Sequence, residues 1–345
     1  MPLHSPKPRP EIRSIPLTKL VKLRILARDQ TRNPQNAVTD REIADTDASN
    51  VTFGIPRLVD NNTGTTIYSE GRPYFKLNEA SGLGIKQKMK TTTTRGWTVE
   101  NLVSKGKRMK PIPRVSAITD YDRLDTIIKQ YEDSGIPLII EDWNKTPNWP
   151  TDGLFSPEWL LDHGEQDINV RNCVNLADKT IAFSEFVERC RTIPEYVQEG
   201  ETERFYGKDA VCPSQWKGWL MESNIPSMLK PGSSEDVLEL LPESERVETL
   251  MCYHGIGDTF TAAHKDLCAS SGHNLMCNTE RGGSAFWFMT QSNDAPHAVS
   301  YFHDKLNSDL DHECYVAGPE EFARAPFIVY VAEQCLGDLD DYNRP

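Results

Sequence analysis

The spacing of hydrophobic residues changes character at about residue 110. Before this point the chain is rich in Pro, Thr, Asn and Gly and contains only short periodic runs. These runs predict a brief helix over residues 17–26 and short strands over 51–55 and 66–68. We therefore expect a basic, loosely ordered region over residues 1–110 and a folded domain over residues 111–345.

The first part of this domain, residues 111–245, contains helical patterns. Residues 120–134 place apolar side chains on one stripe, and Gly135 is expected to end that helix. Ser156 is expected to cap another helix that has Pro157 at its first position. The apolar stripes consist of Tyr121, Leu124, Ile127, Ile128 and Tyr131 in the first helix and of Phe183, Phe186, Val187 and Cys190 in a third.

Residues 246–339 instead show short apolar runs separated by turn residues, which is the pattern of β-strands. Residues 247–254 predict a strand, 255–258 a turn and 259–262 a second strand. A Gly-Gly turn then precedes a further strand over 285–289. Regular alternation of strands and turns is typical of an antiparallel barrel.

The net charge of −13 conceals a division along the chain. Residues up to Arg114 carry 21 Lys and Arg against 10 Asp and Glu, whereas the remainder carries 17 against 41. An acidic body attracts a basic protein such as a histone tail. The basic N-terminal region is consistent with contact to nucleic acid or with a nuclear localisation signal, and equally with a solvated linker.

Two classes of protein are disfavoured by composition. No apolar run has the length of a transmembrane helix, and the N-terminus lacks the hydrophobic core of a secretory signal, so we expect no membrane contact. The eight cysteines include no Cys-x-x-Cys pair, which argues against a zinc ribbon and favours reduced thiols in an intracellular compartment.

The segment with the clearest chemistry is His264-Lys265-Asp266. Residues i and i+2 of a strand project to the same face, so the imidazole and the carboxylate can reach one metal ion. A site of two histidines and one carboxylate leaves positions open for a cosubstrate and O2, as a non-haem Fe(II) oxygenase requires. The pair therefore predicts two of three iron ligands.

Several further motifs occur in a characteristic order: Ile136–Trp143, Phe155–Leu161, Met251–Gly255, His264–Cys268, Asn274–Met276, Trp287–Thr290, Val329–Gln334 and Gly337–Asp338. With these motifs the chain resembles the JmjC family of 2-oxoglutarate-dependent oxygenases, in particular fungal proteins of the histone-demethylase type, from about Ile112 to Leu339. The resemblance implies a mostly β domain with flanking helices, folded as a cupin-like double-stranded β-helix (jelly roll). It also implies a nuclear, chromatin-associated protein.

The resemblance implies Fe(II) and 2-oxoglutarate as cofactors, with His264 and Asp266 as metal ligands. Thr261 matches a position that offers a hydroxyl to the cosubstrate, and Asn274 matches one that contacts 2-oxoglutarate. Each has an alternative structural role, Thr261 as an ordinary strand residue and Asn274 in holding a turn. The family commonly places a Lys where this chain has none, so Arg281 or Ser284 is expected to contact the distal carboxylate.

The third iron histidine of the family has no match. After Leu339 the chain becomes acidic, and we expect the domain to lack its last strands, as a truncated product would. The other late histidines, His297, His303 and His312, fall in a polar segment over residues 291–319 that is expected to be a surface loop, and His273 is close to the first ligand.

Three functions are consistent with these features. The first is a JmjC oxygenase that hydroxylates a protein substrate and, on N-methyl-lysine, releases formaldehyde. The second is a catalytically inactive JmjC module that binds chromatin or another protein. The third is a cupin-like binding protein without a metal.

Overall fold

The computed structural model describes residues 92–233, 236–246, 248–265, 271–313 and 315–342, together with the backbone of 19–27; the side chains of 237, 312 and 342 are not described. The strands expected over 51–55 and 66–68 lie outside the described residues. The proposed division at residue 110 stays a prediction.

Two β-sheets account for the strands of the described chain. Sheet A has nine strands in the order β3-β4-β12-β9-β1-β8-β7-β5-β6, and sheet B has three in the order β10-β11-β2. Pairing is antiparallel except between β3 and β4 and between β2 and β11. The strands are β1 (Lys19–Ala27), β2 (Met109–Pro111), β3 (Arg114–Ser116), β4 (Leu138–Glu141), β5 (Asp167–Asn172), β6 (Asp178–Ala182), β7 (Phe205–Val211), β8 (Leu250–Ile256), β9 (Ser271–Thr279), β10 (Ala285–Thr290), β11 (Val329–Gln334) and β12 (Leu339–Tyr342).

Helices flank the sheets. The α-helices are α1 (Val99–Val103), α2 (Leu124–Ser134), α3 (Pro157–His163), α4 (Phe183–Thr192), α5 (Ser214–Glu222), α6 (Ala295–Leu306) and α7 (Pro319–Phe322). One-turn 3-10 helices lie at Tyr121–Arg123, Trp143–Lys145, Ser227–Leu229, Val237–Leu240, Glu243–Glu245, Ser292–Asp294 and Leu310–His312. No helix in the described part of the chain has the length and apolar character needed to span a membrane.

Local sequence signals set several of these boundaries. Gly135 adopts φ 65°, a left-handed conformation that suits glycine, and α2 ends there as predicted. The Ser156 hydroxyl accepts a hydrogen bond from the Trp159 amide at 3.1 Å, which confirms the predicted cap of α3. Tyr121 is an exception to its predicted stripe, because its side chain is 47% exposed.

The core lies on both faces of sheet A. All four predicted apolar residues of α4 are buried in a cluster with Leu250 and Leu275 of the sheet. In β4, Leu138 and Ile140 belong to this cluster, whereas Ile139 packs on the opposite face against Tyr330 of β11. Sheet A therefore lies between a layer of helices and sheet B, which confirms a mostly β fold with flanking helices.

Three expectations about local structure are wrong. Residues 17–26 were expected to be helical, but Lys19–Ala27 is a strand paired on both sides, so tertiary pairing overrides the helical pattern. Residues 259–262 join no ladder, because the Thr259 amide and hydroxyl both bond to the Ile256 carbonyl. Residues 291–319 are not a loop throughout, since they contain α6, whose apolar face is buried.

The acidic stretch after Leu339 also forms a strand. β12 pairs with β4 and β9, and its Asp340 and Asp341 are fully buried. A strand pattern was not expected there, because aspartate is disfavoured in strands and in interiors.

Candidate metal and cosubstrate site

The candidate site lies where sheet A faces sheet B. Gln334, at the end of β11, is fully buried and connects the two sheets. Its Nε2 donates to the backbone carbonyl of Asn274 at 2.7 Å and to the Asn274 side-chain oxygen at 3.2 Å. Its Oε1 accepts from Trp287 Nε1 at 3.0 Å. Asn274, a predicted cosubstrate contact, and Trp287 of sheet B are therefore joined through the Gln334 amide.

The geometry assigns the two ends of the Asn274 amide. Because its oxygen accepts from Gln334 Nε2, its nitrogen is left as the group that can donate to an anionic ligand. Asn274 is only 2% exposed, so a ligand there would be well shielded from water.

His264 lies at the end of an irregular segment beside sheet B. The Ala263 amide donates to the Tyr315 carbonyl at 2.9 Å, and Ala263 packs against the cluster that contains Phe286 and Phe288. His264 Nδ1 lies 2.8 Å from the Ala262 carbonyl oxygen. A carbonyl only accepts, so this contact requires a proton on Nδ1 and leaves Nε2 as the lone-pair nitrogen. That tautomer fits a metal ligand.

The partner ligand Asp266 lies outside the described residues. In the described part of the chain, no three His, Cys, Asp or Glu side chains are grouped closely enough to hold a metal ion. His264 is thus placed with suitable chemistry, while the predicted His264–Asp266 pairing stays a prediction.

The structure separates the other predicted cosubstrate residues. Thr261 and Arg281 are exposed, and Arg281 adopts φ 59° in the turn before β10. The Ser284 hydroxyl donates to Glu333 Oε1 at 2.6 Å, which ties the start of β10 to β11. Among these residues, Ser284 faces a carboxylate rather than a cation, which makes it a poor partner for a second carboxylate.

Of the late histidines whose side chains are described, none belongs to a group of three candidate metal ligands. On α6, His297 is 70% exposed beside Asp294, and His303 is 78% exposed beside Asp304. The hydrogen bond with Asp304 raises the pKa of His303. His273 is fully buried next to Asp341, with 3.2 Å between Nδ1 and Oδ1, and its register position neighbours that of Asn274 on the opposite face of β9. The side chain of His312 is not described.

Sequence reasoning missed Arg114 and Glu141, which contact each other beside this region. Arg114 donates from Nη2 to Asp338 Oδ2 at 2.5 Å and from Nε to Glu141 Oε2 at 2.7 Å. Burial raises the pKa of Asp338 despite the opposing Cys335 amide and Arg114 guanidinium. Together these contacts hold the turn between β11 and β12 in place. The backbone carbonyl of Asp338 in this turn also accepts a hydrogen bond from Gln334 Nε2. The Gly337-Asp338 pair was the visible sequence signal.

Tyr253 lies in β8 of sheet A. It is 6% exposed, stacks with Tyr206, and donates its hydroxyl to Asp209 Oδ1 at 2.8 Å. Asp209 lies at an irregularity of β7 with φ 52°. The Tyr253 phenol and the Asp209 carboxylate are therefore hydrogen-bonded between β8 and β7.

The fold and the site define a sheet-rich protein in which two facing sheets are joined by buried amides. Comparison with known proteins finds similarity to C-module-binding factor A of Dictyostelium discoideum, at 28% identity over 219 residues. The matched region is 62% of this chain and 21% of that protein, so the chain spans about a fifth of its relative's length. No protein-family model matches the chain.

Proposed function

We propose that this chain is a JmjC-type Fe(II)- and 2-oxoglutarate-dependent protein oxygenase, of the histone-demethylase type, built on a cupin-like jelly roll. The ordered JmjC-like motifs support this proposal, as do two facing sheets of mostly antiparallel strands. The similarity to C-module-binding factor A does not by itself assign an activity.

The observation that carries the proposal is the tautomer of His264. With Nδ1 donating to the Ala262 carbonyl, the ring nitrogen that carries the lone pair is Nε2, as in a metal-ligating histidine, and Asp266 follows two residues later with the carboxylate that Fe(II) favours. When bound, Fe(II) would allow O2 to be reduced by both 2-oxoglutarate, which becomes succinate and CO2, and the substrate C–H bond, which becomes C–OH. The chain's own contribution is to hold and orient these ligands.

The proposed cosubstrate contacts come from one buried donor in sheet A and two exposed residues outside the strands. The Asn274 amide nitrogen is buried and oriented as a donor to a carboxylate. Arg281, on a flexible exposed side chain, provides the cation for the distal carboxylate, and Thr261 a hydroxyl. A basic protein substrate such as a histone tail matches the acidic charge after Arg114, and the basic N-terminal region matches nucleic acid in a nuclear protein.

A second candidate is a catalytically inactive JmjC module that binds chromatin or another protein. The observation in its favour is that the Gln334 amide bonds to both Asn274 and Trp287 between the sheets, as a structural core residue does. The exposed positions of His297 and His303 also favour it, since neither is directed into the site region.

Anaerobic Fe(II) titration followed by metal analysis separates the two candidates. An oxygenase should bind Fe(II), lose that binding in His264→Ala and keep it in the matched control His297→Ala. It should also convert 2-oxoglutarate to succinate, although with only two assigned ligands we expect weak binding and slow turnover. Identical iron content in wild type and His264→Ala, with no succinate, would establish the inactive module instead.

A further inference from the structure

A cavity lies on the helix-covered side of sheet A, at the end of α4. Its volume is about 150 Å³, and it is partly open to solvent. The helix ends at Thr192 and the chain then becomes extended, so no further helical turn fills the space beside the start of β7 and the end of β8. The apolar residues that line the cavity are Phe186, Cys190, Ile193, Phe205 and Ile256.

The aromatic walls of the cavity are already held in place. Phe186 and Phe205 are only 3% and 5% exposed. The Phe186 ring packs over Gly207, where an added Cβ would lie 3.4 Å from it. Above the Phe205 ring, Lys179 Nζ lies 4.2 Å and Arg189 Cζ 5.2 Å from the centroid. A ligand would therefore not have to order these rings, which lowers the cost of binding.

The opening of the cavity carries balanced charge. Arg189 and Glu203 line it and bond to each other, with 2.9 Å between Nη1 and Oε2. Arg189 Nε also donates to Glu185 Oε1 at 2.8 Å, and Lys179 Nζ donates to Glu203 Oε1 at 3.4 Å. These two cations and two anions are paired, so they attract no net charge. A charged ligand would lose water in the apolar interior without gaining a partner there.

The volume of the cavity sets the size of its occupant. An apolar cavity of about 150 Å³ holds one molecule of the size of benzene, whereas pockets for drug-sized ligands measure about 300–1,000 Å³. The opening distinguishes this cavity from an enclosed packing defect, because a molecule can enter from solvent. Size, polarity and charge therefore agree on one class of ligand.

We propose that this cavity is a binding site for a small uncharged molecule with a single aromatic ring. The ring packs against Phe186, Phe205 and Ile256, and a lone hydroxyl group is left at the opening, where Glu203 can accept a hydrogen bond from it. The site lies on the side of sheet A away from sheet B, so it does not depend on the proposed oxygenase activity. Loss of iron binding would leave it unaffected.

Methyl NMR of the full chain with labelled isoleucine tests the proposal, with phenol as the probe. Phenol should shift the Ile193 and Ile256 methyl signals saturably with one dissociation constant, on the order of 1 mM, because the ligand is small. Ile139 packs on the opposite face of sheet A and should not shift. Benzoate and benzylamine carry a charge on the same ring and should bind at least about tenfold more weakly. No saturable shift at about 20 mM phenol, or an equal shift at Ile139, would overturn the proposal.

Two variants test the location and the charge balance of the site. Cys190→Leu adds volume inside the cavity and should abolish phenol binding, whereas the matched Cys335→Leu at an exposed position should preserve it. Arg189→Gln changes an exposed side chain, so it tests the site even if Cys190→Leu does not fold. It removes one cation from the opening and should raise the affinity for benzylamine relative to phenol about threefold.

Two results with these variants would refute the site. One is unchanged phenol binding in a folded Cys190→Leu protein, and the other is an unchanged ligand preference in Arg189→Gln. A third contrary result would be shifts of the Ile193 and Ile256 methyl signals by a peptide with one Phe side chain but not by phenol. That result would assign the cavity to a protein partner in place of a small molecule.

Discussion

Gln334 offers the sharpest test of how the two sheets are held together. The substitution Gln334→Met keeps nearly the same volume, so it removes hydrogen bonds without opening a cavity. Trp287 Nε1 loses the acceptor Gln334 Oε1, and the Asn274 carbonyl and side-chain oxygens lose their donor. The Asp338 carbonyl keeps the Met276 amide as a donor, so it contributes less.

The expected magnitude follows from these losses. A buried donor or acceptor that loses its partner costs about 1–3 kcal/mol, and Gln334 is fully buried, so we expect the free energy of unfolding to fall by about 3 kcal/mol. That is a large share of the roughly 5–15 kcal/mol of a typical domain. Urea unfolding followed by far-ultraviolet circular dichroism measures it.

Two further variants show whether the loss of stability comes from the Gln334 hydrogen bonds. Gln215→Met changes the same residue type at an exposed position of α5 and should shift stability by less than about 0.5 kcal/mol. Trp287→Phe removes the other partner, so the double variant should lose less than the sum of the two single losses. The reasoning would be refuted by a Gln334→Met protein as stable as the Gln215→Met control.

Two further predictions concern pH and thiol chemistry. Burial raises the pKa of Asp178, but hydrogen bonds from Arg171 and Lys208 outweigh it and hold the pKa below its ordinary value. Ionised Asp178 therefore stabilises the fold at any pH above its unfolded-state pKa, and this stabilisation is lost as pH falls through the folded-state pKa. Asp178→Asn should cost about 1 kcal/mol in urea unfolding at pH 7 and little at pH 3, and an equal cost at both would contradict the pairing. Burial raises the pKa of Cys173 to about 11, whereas Cys335 is exposed, so a brief N-ethylmaleimide pulse read by peptide mass spectrometry should modify Cys335 and spare Cys173 until the protein unfolds.

Elements with purely local causes were predictable from the sequence. The apolar residues of α4 recur at helical spacing, and Ser156 with Pro157 specifies the start of α3. The turn before β10 follows in part from Gly282, which adopts positive φ without steric cost, whereas Arg281 adopts it too although its side chain does not favour it. In each case the determining residues lie within one turn of the element.

Elements that depend on distant partners were not predictable. The apolar residues of Lys19–Ala27 satisfy both helical and strand spacing, and pairing with β8 and β9 decides between them. β12 forms although it contains two adjacent aspartates, because β4 and β9 flank it on both sides. The inter-sheet role of Gln334 likewise required knowledge of which residue faces it.

For the candidate site, the sequence predicts residue types, but it does not predict where their side chains lie. His264 has the tautomer found in metal ligands, and its role as a ligand stays a prediction from a two-residue spacing. The segment that carries it is irregular rather than a strand, and Thr261 and Arg281 are exposed. Spacing along the chain therefore leads to a predicted set of residue types, whereas side-chain exposure and cross-sheet contacts needed the fold.

The central position of β1 has a consequence for how the protein is made. Synthesis proceeds from the N-terminus, so Lys19–Ala27 leaves the ribosome long before β8 and β9, the strands with which it pairs. The middle of sheet A can close only after most of the domain has been translated, and such contacts between distant parts of a chain slow folding. Until then, an alternating apolar and basic segment must remain unpaired beside a growing chain, which makes it a natural target for chaperones that hold exposed strands.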